Sequence, residues 1–167
     1  MSGIKPNPAF FTKLSIFHVI NKAIREYGYK SEKEKRRIIC SISKEDDFFF
    51  KGDENLMIYV IFNLLKNALY YSNTHPNLTI TINSKTTAEE DKNHNHIYIT
   101  DNGPGIAPNL LPHLFEDFMT SNKQGGTGLG LAFCKRVMTS FNGSISCSSK
   151  ENEGTAFKLK FPKTNQN

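Results

Sequence analysis

The sequence predicts an α+β fold: a two-layer α/β sandwich in which a mixed sheet is covered on one face by helices. Three observations point there. An almost wholly apolar stretch with helical period runs from 54 to 71. Alternation with period two follows at Leu78, Ile80 and Ile82, and again at Ile97 and Ile99. Strand patterns are interleaved with helical ones, yet many neighbour each other through hairpin-like turns, which favours a mixed sheet over a parallel one. The 167 residues, 38% hydrophobic and 22% charged, suffice for one domain with short appendages and exclude a disordered polyelectrolyte.

In chain order, residues 13–19 read as a strand and 20–35 as a polar amphipathic helix. Ile38, Cys40 and Ile42 alternate as a second strand, and 48–50 form a short third. Asp53 is an N-cap for a helix to about residue 71, apolar almost all round and therefore buried. Residues 84–96 form a polar hairpin or loop between two alternating strands, the second of which leads straight into Asp101. From 102 to 128 the chain is rich in Gly, Pro, Ser and Asn, and an irregular segment of that length is uncommon unless functional. A last helix, 129–141, stops at Asn142-Gly143, and two closing strands follow around 145–147 and 157–161.

The composition narrows the function further. A net charge of +5 invites nucleic acid, but the densest basic stretch, 30–37, alternates in sign and lacks interleaved aromatics, so it reads as a solvated helix end and no nucleic-acid partner is expected. The longest apolar run, 56–62, is far short of the roughly 20 residues that cross a bilayer, and the first twenty residues carry no secretory pattern, so no membrane contact by this chain is expected. Cys40, Cys134 and Cys147 lie far apart, which suits a reducing, cytoplasmic setting.

Four features carry chemistry. Asn63 and Asn67 are four apart on the buried helix, so both amides share one face, continued by Tyr70 and Tyr71. An unpartnered carboxamide in apolar surroundings costs about 1–3 kcal/mol, so something polar must meet that face, backbone or ligand. Asp101-Asn102-Gly103-Pro104-Gly105-Ile106 follows a strand whose inward face Asp101 shares with Ile97 and Ile99. Its carboxylate wants a donor, such as a ring amino group, and the glycines allow close backbone approach; an ordinary Asp-capped turn is the plainer reading of that stretch alone. Gly125-Gly126-Thr127-Gly128-Leu129-Gly130-Leu131 opens the last helix with free amides and the positive dipole end, as phosphate binding requires. It matches neither the Walker loop nor the dinucleotide fingerprint. Glu153-Gly154-Thr155-Ala156-Phe157 by itself indicates a hairpin turn and strand.

Together these motifs resemble the GHKL (Bergerat-fold) ATP-binding superfamily. Asn63-Leu64-Leu65-Lys66-Asn67-Ala68 is similar to its asparagine box, Asp101 to Ile106 to its first glycine box, and Leu114-Phe115-Glu116-Asp117-Phe118 to the phenylalanine box of sensor histidine kinases. Gly126 to Leu131 and Gly154-Thr155 resemble the later glycine boxes, and the helix run 56–71 together with the segment 130–143 looks most like kinases of bacterial autoinducer receptors. The resemblance implies a mostly antiparallel sheet of about five strands under three helices, with 1–12 an extension or linker remnant, 13–163 the catalytic domain and 164–167 a tail. It implies that ATP is bound with Mg²⁺, ligated by Asn67 beside Asn63. Asp101 would accept from the adenine amino group, and Tyr71 would stack on the ring. Gly103, Gly105 and Ile106 would line the base. Gly126, Thr127, Gly128, Leu129, Gly130 and Leu131 would wrap the phosphates, with Thr155 at the adenine end. Phe115 and Phe118 would anchor a lid over about 108–124. Asn63, Lys66 and Asn67 would serve transfer, since Asn63 stands where hydrolytic members carry a water-activating Glu, and an amide is a poor general base.

Two departures matter. Tyr70 stands where many such kinases carry Lys or Arg, a contact that Lys66 or Lys123 would replace. Among His18, His75, His94, His96 and His113, none has the phosphoacceptor context. The γ-phosphoryl group would therefore go to a histidine on a separate dimerisation domain, and from there to a response regulator; whether the parent protein is anchored in the inner membrane is left open. A nucleotide-binding switch or pseudokinase, and a self-contained GHKL ATPase, are the alternatives.

Overall fold

The computed structural model describes residues 5–84, 91–119 and 128–164. The elements are β1 (Thr12–Ser15), α1 (Ile16–Glu26), α2 (Glu32–Lys35), β2 (Ile38–Cys40), β3 (Phe49–Gly52), α3 (Glu54–Leu69), β4 (Ile80–Asn83), β5 (His94–Asp101), α4 (Gly130–Ser140), β6 (Ser144–Lys150) and β7 (Gly154–Pro162). Five strands form one mixed sheet in the order β2-β4-β5-β7-β6, with β2 parallel to β4 and every other pair antiparallel. Helices pack on one face of it, and β1 pairs with β3 in a separate two-stranded sheet.

Alternation along the strands decides which face is covered. Ile80, Ile82, Ile97, Ile99, Phe157, Leu159 and Phe161 point to the helices and are buried. Against them α3 contributes nine buried residues from Leu56 to Leu69, because it lies between α1, α4 and the sheet. Asp53 caps α3 as its sequence suggests, accepting from the Leu56 amide at 2.9 Å. At the end of α4 the left-handed residue is Asn142 (φ 58), and the Gly143 amide returns to the Met138 carbonyl at 2.9 Å.

The first helix differs from expectation: it begins at Ile16, so residues 16–19 and His18 are helical and the strand before them is short. The cause is distant in sequence. Ser15 Oγ accepts from the His18 amide at 3.1 Å and donates to Asp47 Oδ2 at 2.7 Å, while Asp47 Oδ1 accepts from the Phe17 amide at 2.9 Å. One carboxylate from beyond β2 therefore completes the N-cap, and the macrodipole favours it there. The strand β5 also starts earlier than the sequence suggests, so His94 and His96 lie on a strand and not in a loop. Both are tied to Asp91: His94 Nδ1 approaches Oδ1 at 2.8 Å and His96 Nε2 approaches Oδ2 at 3.3 Å, where Lys160 Nζ also arrives at 2.8 Å. Lys160 and His94 hold the Asp91 carboxyl well below its usual range.

Where β5 begins, β7 ends, since His94 is the register partner of Pro162. At that end a groove of about 350 Å³ is lined by Pro8, Phe11, Phe50, Phe141, Pro162 and Lys163 among others, so the first and last described segments meet there.

Candidate nucleotide site

At the other end of β5, the carboxylate of Asp101 lies on the helix-facing side, with Oδ1 accepting from the Gly103 amide at 2.8 Å. Its register partner on β7 is Thr155, which is buried. Two acceptor-bearing side chains are thus neighbours on one face. The charge at Asp101 reaches β6: the Cys147 thiol is pushed up to about 12, mainly by burial and then by the Asp101 carboxylate. An atom placed as a Cβ on Gly103 would meet Asp101 Oδ1 at 2.8 Å and the Tyr71 ring at 3.7 Å, so Gly103 separates the acid from the aromatic. Beside them opens a cleft of about 400 Å³ lined by Tyr71, Pro104, Gly105, Ile106, Leu110 and Asn152 among others. Asp101 and Thr155 lie off that lining, joined to it through Gly103 and the following loop.

Gly105 is required here. Its φ is +74°, and any Cβ would run into the carbonyl of Lys150, the last residue of β6 before the β6–β7 turn. That turn is fastened to the loop by the Asn152 amide donating to the Pro104 carbonyl at 2.7 Å.

The glycine-bearing helix start and the asparagine pair are carried by α4 and α3. Asn63 Nδ2 donates to the Tyr59 carbonyl at 2.7 Å, which turns its Oδ1 toward α4, where a Cβ on Gly130 would lie 2.6 Å away. The first residue of α4 therefore seats on the Asn63 amide, bringing a helix N-terminus with roughly half a positive charge beside α3. Asn67 is half-buried one turn further along, Lys66 is exposed, and Leu131 packs against the core. Leu129 caps α4 and Gly128 is left-handed at φ +70°, packed on the backbone of Phe118. Lys123, Gly126 and Thr127 lie outside the described residues.

Two aromatic expectations separate. Phe115 packs edge-on to Phe157 with centroids 6.4 Å apart. Phe118 differs: it is left-handed at φ 63° and 75% exposed. Tyr70 is the C-cap of α3 and 44% exposed, with its ring 5.1 Å from that of Tyr71 and nearly perpendicular.

Two contributors escaped the sequence reading. Arg37, read as part of a solvated basic run, points inward: its guanidinium donates to the carbonyls of Ser72, Pro76 and Leu78 at 3.2, 3.1 and 2.9 Å, with His75 at 3.4 Å. It caps the chain leaving α3, and Asn102 grips the same loop from the other side, accepting from the Thr79 amide at 2.7 Å. Arg37→Ala is expected to destabilise the fold by about 2–3 kcal/mol, and Arg37→Lys to recover only part, because an ammonium cannot span those carbonyls. A urea midpoint for Arg37→Ala equal to wild type would remove the clasp from consideration. Ser149 is the second contributor; its hydroxyl accepts from the Ile106 amide at 2.8 Å.

Among the described residues no group of three or more His, Cys, Asp or Glu could hold a metal ion. A cation here would have to be held by amide oxygen and by ligand phosphate. Asn67, half-buried on the amide-bearing face of α3, is a hard donor that suits Mg²⁺ in that role. No described helix is long and apolar enough to cross a membrane.

A mixed sheet under three long helices, with an acid at one strand end and a helix start on a half-buried amide, defines the ATP-binding fold that the motifs resemble. The chain belongs to the histidine kinase-, DNA gyrase B- and HSP90-like ATPase family, whose sequence model matches residues 52–165. Within it, the chain is 41% identical over 157 residues to the CAI-1 autoinducer sensor kinase/phosphatase CqsS of Vibrio cholerae, covering 94% of this chain and 22% of that protein. It is also 41% identical over 162 residues to the autoinducer 1 sensor kinase/phosphatase LuxN of Vibrio harveyi, covering 97% of this chain and 18% of that protein. The chain thus spans about a fifth of the length of these relatives. Among solved structures, the mycobacterial sensor histidine kinase MprB superposes with a TM-score of 0.72 at 24% identity, covering 90% of this chain and 97% of that one. The nucleotide-free catalytic domain of histidine kinase ThkA does so with 0.70 at 25% identity, covering 92% and 98%.

Proposed function

We propose that this chain is the ATP-binding catalytic domain of an autoinducer-type sensor histidine kinase. It would pass the γ-phosphoryl group of ATP to a histidine on a separate dimerisation domain, for relay to a response regulator. The observation that carries this reading is the seating of Gly130 on the Asn63 amide, which brings the N-terminus of α4 against a side-chain amide of α3. Adenine would lie in the cleft beside Gly103, with its amino group on Asp101 and its face against Tyr71. The phosphates would extend toward α4, where Gly128, Leu129, Gly130 and Leu131 bring backbone amides, and Gly126, Thr127 and Lys123 would add to them.

Asn67 would hold Mg²⁺, which when bound neutralises phosphate charge; phosphoryl transfer needs that and positioning more than covalent help. Asn63 offers no basic atom to activate water, because the nitrogen lone pair of a carboxamide is delocalised into its carbonyl, and this favours transfer to a histidine over hydrolysis. Exposed Lys66 is left to meet phosphate or the partner domain.

Asn67→Ala is expected to weaken ADP binding about tenfold or more with Mg²⁺ present and to change it little in EDTA. Equal losses in both buffers, measured by titration calorimetry, would contradict the assigned role. Radiolabelled ATP supplied with a matched dimerisation domain should label that domain's histidine. Binding without labelling would identify a nucleotide switch, and steady phosphate release by the chain alone a self-contained ATPase.

A further inference from the structure

Ser149, on β6, sits among polar groups and has only one proton to give. Its Oγ accepts from the Ile106 amide at 2.8 Å, lies 2.8 Å from the Gly154 carbonyl and 2.9 Å from Thr155 Oγ1. A carbonyl can only accept, so the Ser149 proton belongs to Gly154. With that proton committed, the Ser149–Thr155 contact is a hydrogen bond only if Thr155 donates. The opposite assignment, Ser149 donating to Thr155, would forfeit the bond to Gly154 and leave two bonds where the first gives three. In a part-buried cluster the fully bonded arrangement wins.

The consequence falls on the other side of Thr155. Its only proton is directed at Ser149, so toward the site it presents lone pairs, next to the Asp101 carboxylate on the neighbouring strand. Both groups on that edge are then acceptors, and a ligand edge that donates is favoured over one that accepts.

Resting on the reading of this cleft as the adenine site, we infer that Ser149 is a specificity-determining residue: by fixing the direction of the Thr155 hydroxyl, it makes the site select a purine bearing a 6-amino group over one bearing a 6-oxo group. Ser149 need not touch the nucleotide. Without it, the Thr155 hydroxyl is free to turn and donate, which is the polarity an oxo group needs. The same hydroxyl ties the first glycine loop to the β6–β7 turn through Ile106, so its loss alone would also loosen the cleft; the test must separate the two effects.

The experiment is calorimetric titration of the wild-type chain, Ser149→Ala, Ser149→Thr and Thr155→Val with ADP and with inosine diphosphate, each variant's fold being checked by thermal melting. Wild type should prefer ADP, and Ser149→Ala should narrow the ADP-to-inosine-diphosphate affinity ratio by about tenfold, the worth of one hydrogen bond between matched and mismatched polarity. Ser149→Thr, which keeps the hydroxyl, should restore the ratio. Thr155→Val should narrow it as Ser149→Ala does, and decides the matter should Ser149→Ala fail to fold. A wild-type ratio in Ser149→Ala, or equal losses for both nucleotides with the ratio intact, would show a role in scaffolding alone and overturn the proposal. Failure of the wild-type chain to bind ADP would instead overturn the adenine reading, and the inference with it.

Discussion

Replacing Asp101 with Asn is expected to lower the affinity for adenine nucleotides about 10- to 100-fold, the worth of a charge-assisted hydrogen bond plus the penalty of a mismatch. The Gly103 amide claims an oxygen of residue 101 at 2.8 Å, and Asn has only one oxygen to offer. Keeping that bond turns the new amide's NH₂ group elsewhere in the site, where a donor would face the donor of the adenine ring. The loss should be the same for adenosine, ADP and ATP and insensitive to Mg²⁺, because the altered contact is remote from phosphate. A loss confined to triphosphates would place the residue on the wrong end of the ligand.

The second large effect is expected at Gly105. A side chain there pays a left-handed backbone penalty of about 1–2 kcal/mol and also drives into the main chain at Lys150, which cannot yield without moving the β6–β7 turn. Gly105→Ala should therefore cost about 2–4 kcal/mol in urea unfolding and greatly weaken ADP binding. Gly28→Ala is the matched control: φ there is not left-handed and no atom stands within 4 Å of the added carbon, so stability should barely change. Similar midpoints for the two variants would mean that the loop is not pinned as described.

What the sequence revealed was whatever depends on local period. The spacing of Asn63 and Asn67 shows a shared helical face, and the alternation Ile97, Ile99, Asp101 is enough to carry the carboxylate to the helix side. Asp53 announces its helix because its capping bond spans only three residues. Features set by partners far along the chain stayed hidden. Nothing near Ser15 indicates that Asp47 will finish its cap, and charge counting cannot distinguish Arg37, which gathers carbonyls from 72–78, from its solvated neighbours. Ser149 is one serine among several on β6 until strand pairing sets it against Thr155. The exposure of Phe118 was hidden for a related reason, since the motif specifies an aromatic residue but not the left-handed backbone found there.

The groove shared by Pro8, Phe11 and Pro162 has a mechanical corollary. Strand β5 starts there and reaches Asp101 seven steps later, roughly 24 Å away at about 3.4 Å per residue. Residues near both ends of the described chain thus share one pole of the domain, and the proposed nucleotide site lies at the other. With that strand length, a rigid tilt of the whole domain by roughly 30° about the first pole would move the proposed site through about 12 Å.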